Sequence, residues 1–454
     1  MAKDEIRIFT PTGMLGYGFP AKLFREVVET GPDAIVCDSG STDSGPQKLG
    51  LGGMTCARGA YVKDIALLLE ASAERKIPVL ISSAGGDGTN AHVSVFVDII
   101  REIAAEKGYR LKVAAIYADI DKEEIVAKLR SGRVAPCGPV PELTKAEVIV
   151  ATNIVAQMGA EPFLKAMEEH GDVDVIVAGR SYDPAPFAAI GLRHGFDPGV
   201  CWHIGKIMEC GGLCAEPKGR MMTGLLRRDQ FELEPPNPSE RCTTWSVAAH
   251  TLYEKSHPFL LPGPGGVLDL SEAKYEQLSE RRVRVSGSKF VPSPRYCVKL
   301  EGAKRLGYRA IFIAGARDPI FIRELDGVIA RVRQEIRDYF PDVAPENYQL
   351  IFHEYGRNGV MAELEPIKGA MTHEMCIIAE VAAPTQELAM AICNKARVDL
   401  MHLAYPGQLA TGGNLASPFT PLEIPLGEVC AFNVYHLMEV DNPTANFPIE
   451  YLEI

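Results

Sequence analysis

Four short stretches carry most of the residues that could do chemistry. They are CDSGSTDSGP (37–46), SSAGGDGTNAH (82–92), GRSYDPAPFAAIG (179–191) and HIGKIMECGGLCAEPKGR (203–220). The first sets Asp38, Ser39, Ser41 and Asp43 among glycines. Carboxylates, hydroxyls and free N–H groups together exceed what a turn and a helix cap use. In the second, Gly85, Gly86 and Gly88 let backbone approach closely, and Thr89 and Asn90 begin a helix. Free N–H groups at a positive dipole end make a site for a phosphate, a carboxylate or an enolate-like oxygen. The structural alternative is a tight turn capped by Thr89 or Asn90. In the third, Arg180 can grip a carboxylate bidentately. Asp183 can orient Arg180, cap the next helix or act as a base, and Tyr182 stands between them. In the fourth, Glu209 lies in an apolar run, where burial would raise its pKa and suit it to proton transfer.

Asp43, Glu209, Arg180 and Asp183 are therefore the candidate catalytic residues. Asp38, Ser39, Ser41, Gly85, Gly86, Gly88, Thr89, Asn90, Tyr182 and His250 are the candidate substrate contacts. His250 and Tyr253 are three apart, on one helix face. Cys210 and Cys214 read as small interior residues, because a zinc site of this kind needs a second ligand pair. No residue is assigned to a metal, and a divalent metal is the one cofactor left open. Glu301, between Lys299 and Lys304, reads as a solvated strand end. The pentapeptide GGDGT (85–89) also occurs in kinases that cradle nucleotide phosphates, so a phosphotransferase is one reading. No Walker A, GxGxxG, HExxH or G-x-S-x-G pattern accompanies it.

These loops need strands to position them. Short apolar runs at 6–10, 34–39, 79–83, 111–119, 148–152 and 174–179 read as strands covered on both faces. Helical periodicity lies between them at 60–75, 91–107, 121–131 and 160–170. The alternation predicts an α/β fold, with a doubly wound, mainly parallel sheet over residues 1–225. In such sheets ligands bind beyond the carboxyl ends of the strands, where the polar loops fall. A mixed α/β connecting region is expected over 226–344, with an apolar loop at 258–271 and a long helix at 319–339. A small α+β domain is expected over 345–454, with YQLIFHEYG, GVMAEL, HEMCIIAEVAA and EVCAFNVYHLMEV as strands and 385–405 as a helix. The glycine loop around Asn414 reads as its C-cap and turn.

The chain has 454 residues and a net charge of −12, which argues against general affinity for nucleic acid or membrane. Eleven cysteines without framework spacing, and a polar amino terminus, predict reduced thiols in the cytoplasm. A homo-oligomer is the default expectation.

The phrases CDSGSTDSGP, SAGGDGTNAHV, DVIVAGRSYDPAPFAA, ECGGLCAEP, SVAAHTLYEKSHP, KLEGAKRLGYR, EYGRNGVMAELEP and GNLASPFTP, in this order, resemble the acyclic terpene utilisation (AtuA-like) family. The likeness runs from residue 6 to about residue 440. It implies a catabolic protein acting on branched carboxylates, often as thioesters, and often beside a small companion polypeptide. It supplies no catalytic set. The leading expectation is a lyase, a hydratase/dehydratase or retro-aldol C–C lyase, for a branched hydroxy acid or its CoA thioester. In it Arg180 clamps the carboxylate, the helix start at Gly88–Asn90 meets the oxyanion, and Asp43 or Glu209 moves the proton. The alternative outside enzymology is a substrate-binding or scaffold subunit that needs its companion.

Overall fold

Five of the apolar runs become adjacent parallel strands because each of their faces has a layer of helices to bury it. In the computed structural model, which describes residues 3–171, 173–253, 257–370 and 372–454, the strands Glu5–Thr10, Ala34–Asp38, Val79–Ser82, Val175–Ala178 and Lys112–Ile116 lie side by side in that order, all parallel. Side chains alternate between the faces. Ile8, Val36, Leu80 and Ile176 pack on one side with Phe163, Phe187 and Ile204. Phe9, Ile35, Ile81 and Val177 pack on the other with Phe24, Leu68 and Phe96. The helix Arg58–Arg75 shows how sequence sets this layer: Tyr61, Ile65, Leu68 and Ser72 recur at helical spacing and are all buried.

The parallel strands expected of residues 1–225 form, but within a larger mixed sheet. It has ten strands, and only the central five are parallel. Met222–Arg227 runs antiparallel beside the first strand, followed by Gln230–Glu234, Val283–Ser286 and Lys274–Gln277. Ile449–Glu453 closes the other edge antiparallel to Lys112–Ile116. The fold is thus mixed α/β with a large mixed sheet. The wings escape a search for strand–helix alternation because they are joined by short turns instead of helices.

Three local expectations fail for identifiable reasons. The run 148–152 is no strand: Lys145–Val150 is helical, started by Thr144, whose hydroxyl accepts from Glu147 N. This cap outweighs the β-branched composition. The strand that follows, Asn153–Gln157, pairs antiparallel with Lys299–Ala303, outside the ten-stranded sheet. The loop at 258–271 contains a hairpin, Leu260–Gly263 with Gly266–Asp269, turning at Pro264-Gly265. GVMAEL holds a 3-10 turn at Ala362–Leu364 in place of a strand.

The chain forms two units. One comprises Met1–Lys304 and Phe432–Ile454, the other Arg305–Ala431. The second unit packs helices Pro319–Tyr339 and Gln386–His402 on antiparallel strands that include Gln349–Tyr355 and Met375–Ala383. There Asn414 does cap its helix, donating from Nδ2 to the carbonyls of Leu400 and Leu403.

The glycine loop is built by close approach. Gly88 has φ +64°, and a Cβ there would lie 2.1 Å from the backbone nitrogen of Arg180, which donates to Gly88 O. Gly88→Ala should therefore destabilise the chain by about 2 kcal/mol or more. Equilibrium denaturation against the unmodified protein measures it.

Candidate functional site

The loops after the parallel strands are tied to one another by backbone bonds: Ser39 N to Ser82 O, Ser83 N to Gly179 O, and Arg180 N to Gly88 O. Ser83 holds a left-handed backbone with φ 50° that glycine would adopt more cheaply. Its hydroxyl explains the serine, since it accepts from Arg180 Nη1 and from Ser181 N, both at 3.3 Å.

Arg180 is the centre of this arrangement. It is buried, with Nε 2.7 Å from Glu301 Oε2 and Nη1 2.8 Å from Asp183 Oδ1. Nη1 also donates to Ser181 O at 2.9 Å, and Nη2 reaches Glu301 Oε1 at 3.5 Å. Glu301 in turn accepts from Gln157 Nε2 at 3.0 Å and pairs with Lys299 at 2.7 Å. Burial alone would raise the Glu301 pKa, but Arg180 and Lys299 outweigh it and hold the carboxyl at about 2. The sequence reading of Glu301 as a solvated strand end is overturned. Lys304 misled it, since that residue pairs with Glu147 instead. The clamp assigned to Arg180 is also corrected. Its donors are committed inside the protein, and what it does is fix Asp183.

Beside this network lies a cavity of about 470 Å³. Asp38, Ser41, Asp43, Asp183 and Glu209 all line it, together with Tyr253, Lys218 and Arg220. Five sequence-nominated residues thus meet in one place. Asp38 is buried, accepting from Ser82 Oγ at 2.8 Å and Gly40 N at 3.2 Å. Burial raises its pKa well above the usual carboxylate range. The charges of Asp183 and Glu209 add to this, against the Ser82 hydroxyl and Arg180. Glu209 follows the helix Pro198–Met208 and pairs with Lys206, one turn back. Burial opposes the charge on Lys206, but Glu209 overrides it and keeps the amine cationic. Lys206 also lies 5.8 Å from the Tyr253 ring centre.

Other nominated residues stand behind the wall. Ser39 is fully buried. Tyr182 packs against Trp202, with ring centres 5.8 Å apart, and burial followed by the charge of Glu209 raises its pKa. His250 stacks on Tyr253 at 5.6 Å, and burial, then Lys206 and Lys218, lowers its pKa to about 4. The donors of the glycine loop are spent internally. Thr89 N donates to Asp87 Oδ1 at 3.0 Å and Asn90 N to Asp119 Oδ1 at 2.9 Å. Asp87 also meets His92 Nδ1 at 2.6 Å. The oxyanion role expected of Gly88–Asn90 is therefore filled by the protein's own carboxylates, and Gly85 and Gly86 shape the loop. This geometry gives the phosphotransferase reading no support.

Lys48 went unnoticed in the sequence. It is buried, and Nζ donates to Ser41 O at 2.7 Å, pinning the Asp38–Asp43 loop. Burial lowers its pKa, partly offset by Asp87. Nothing in its sequence setting marked it, because a lysine in a short helix usually reads as surface. Among the described residues, no group of three or more His, Cys, Asp or Glu side chains could hold a metal ion. No helix among them is long and apolar enough to cross a membrane.

Glu301→Gln should destabilise the protein at neutral pH by about 3 kcal/mol, since Arg180 and Lys299 would lose a buried counter-charge. The folded pKa of Glu301 is depressed, so its contribution is present above the unfolded value near 4.5 and fades as pH falls toward 2. The stability gap between the two proteins should narrow across that window in denaturant titrations.

A comparison with curated proteins and one with solved structures found no match. The model of one protein family, described as acyclic terpene utilisation family protein AtuA, matches residues 6–223 and 233–423. That span is most of the chain, which therefore belongs to the AtuA family, a family whose description places it in acyclic terpene utilisation.

Proposed function

We propose that this chain is a lyase that works by acid–base catalysis on a branched hydroxy acid or its CoA thioester. The observation that supports it most is the pairing, in one cavity, of a buried carboxyl with a raised pKa, Asp38, and an arginine-fixed carboxylate, Asp183. Two carboxyl groups whose surroundings differ in this way suit one proton donor and one proton acceptor.

In the dehydration form, Asp183 or Glu209 takes a proton from the carbon next to the carbonyl. The carbon–oxygen bond breaks, Asp38 protonates the departing hydroxyl, and water leaves. In the retro-aldol form, the base takes the hydroxyl proton, a C–C bond breaks, and the acid protonates the resulting enolate carbon. Lys218 and Arg220, which line the same cavity as the four acids, receive the substrate carboxylate or the thioester's phosphates. Arg180 and Lys206 offset the charge of the acids behind them. With Asp38 neutral, an anionic substrate can enter.

Asp38→Asn keeps the neutral shape of the protonated acid, so the variant should melt no lower than the unmodified protein. Its kcat should fall by about 100-fold or more. The rate of the unmodified enzyme should decline as pH rises and Asp38 loses its proton. The purified chain is incubated alone in D₂O with a panel of branched hydroxy acids and their CoA thioesters. Mass spectrometry then follows deuterium entry and loss of water or of a carbon fragment. Turnover by Asp38→Asn at the unmodified rate would overturn the assignment.

A further inference from the structure

A second cavity of about 610 Å³ lies in the same unit, and Asp43 lines both it and the first. Each is the size of a small-molecule site, which runs from about 300 to 1,000 Å³. The loop Asp38–Asp43 is their shared rim: Ser41 faces one, Thr42 the other. Glu301 lines the second cavity and Asp183 the first, with Arg180 bonded to both.

The two cavities differ in chemistry. The second takes Leu143, Val434, Phe432 and Tyr435 into its lining. Phe432 is 43% exposed and Tyr435 41%, so both rings keep open faces. Asp43 and Glu142 apart, the charged groups there are already paired. Lys304 Nζ sits 2.9 Å from each Glu147 oxygen, and Asn433 Nδ2 donates to the same carboxylate at 2.9 Å. His436 Nε2 is bonded to Pro141 O at 2.9 Å, and Glu301 is held by Arg180 and Lys299. Glu142 and Thr144 stay at the exposed edge. What remains for a ligand to touch is mostly apolar, with two aromatic rings at an open mouth.

Resting on the function proposed above, we infer that this second cavity is the binding site for the aliphatic chain of the substrate. The ligand lies across Asp43, its carboxylate or thioester end among the acids of the first cavity and its hydrocarbon end against Phe432, Tyr435 and Leu143. These side chains then set chain-length specificity, and the polar cavity sets the reaction.

Calorimetry with two homologous series tests this: straight-chain carboxylates from butanoate to decanoate, and the alkan-1-ols of the same lengths. Affinity should tighten about three- to fourfold per added methylene until the cavity is full, as expected for burial of apolar groups. Phe432→Glu and Tyr435→Glu, both changes at half-open positions, should each abolish that increment in both series. The alcohols separate the two ideas. A methylene increment in the alcohols that the variants erase, with no binding of the acids, supports the chain site and counts against an acidic head in the first cavity. Acid binding that is independent of chain length, or an increment that survives both variants, overturns the chain site and leaves the acid–base reading standing. Absence of binding in both series overturns it as well.

Discussion

Everything at the site depends on one buried guanidinium. Arg180 is surrounded by its own protein, and removing its charge partners would leave a cation without solvent, a loss of several kcal/mol. The chain must therefore bring Glu301 and Ser83 to it from two other stretches, beside Asp183 on its own. This requirement fixes the strand end at Gly179, the left-handed backbone at Ser83 and the side-chain-free passage at Gly88. Desolvation makes the arrangement costly unless complete, and completeness makes it rigid. A rigid Asp183 is what the proposed acid–base chemistry would need, since misplacement of a proton acceptor by an ångström loses much of its effect.

The central strands were legible because a strand buried on both faces reads as an unbroken apolar run, and the helices between them keep a clear period. Asp38, Asp43, Asp183 and Glu209 were legible for a related reason. Asp38, Asp43 and Asp183 end or follow such runs, and the ends of parallel strands converge, while Glu209 follows the apolar helix Pro198–Met208. Glu301 and Lys48 were hidden. Glu301 stands between lysines in sequence while its main partner, Arg180, is 121 positions away, and Lys48 lies in a short helix from which its bond back to the Ser41 carbonyl cannot be read. Of the antiparallel wings, the run 281–290 carries a strand-like polar alternation, but its place in the main sheet is not legible from that alternation. Arg180 was legible as a carboxylate-binding residue, and of its two readings the structure favours the internal pair with Asp183 over an external carboxylate.

GGDGT teaches the same lesson from the other side. Three glycines before a helix are what an anion site would use, and they are also what a crowded crossing of backbones would use. Here the crossing accounts for Gly88, and Asp87 and Asp119 supply the acceptors that a ligand would have brought. The same five letters serve two constraints, and only the identity of the acceptor distinguishes them.

The strand Ile449–Glu453 pairs with Lys112–Ile116, and Tyr117 bonds to Glu450, 333 positions away. Between these two parts of one sheet the chain makes all of the second unit, which is continuous in sequence. A ribosome would therefore release a self-contained unit before the sheet edge of the first could be covered. During that interval the edge at Lys112–Ile116 offers unpaired backbone groups. Synthesis of this protein thus carries a built-in delay, in which the sheet below the polar loops waits for the last strand to arrive.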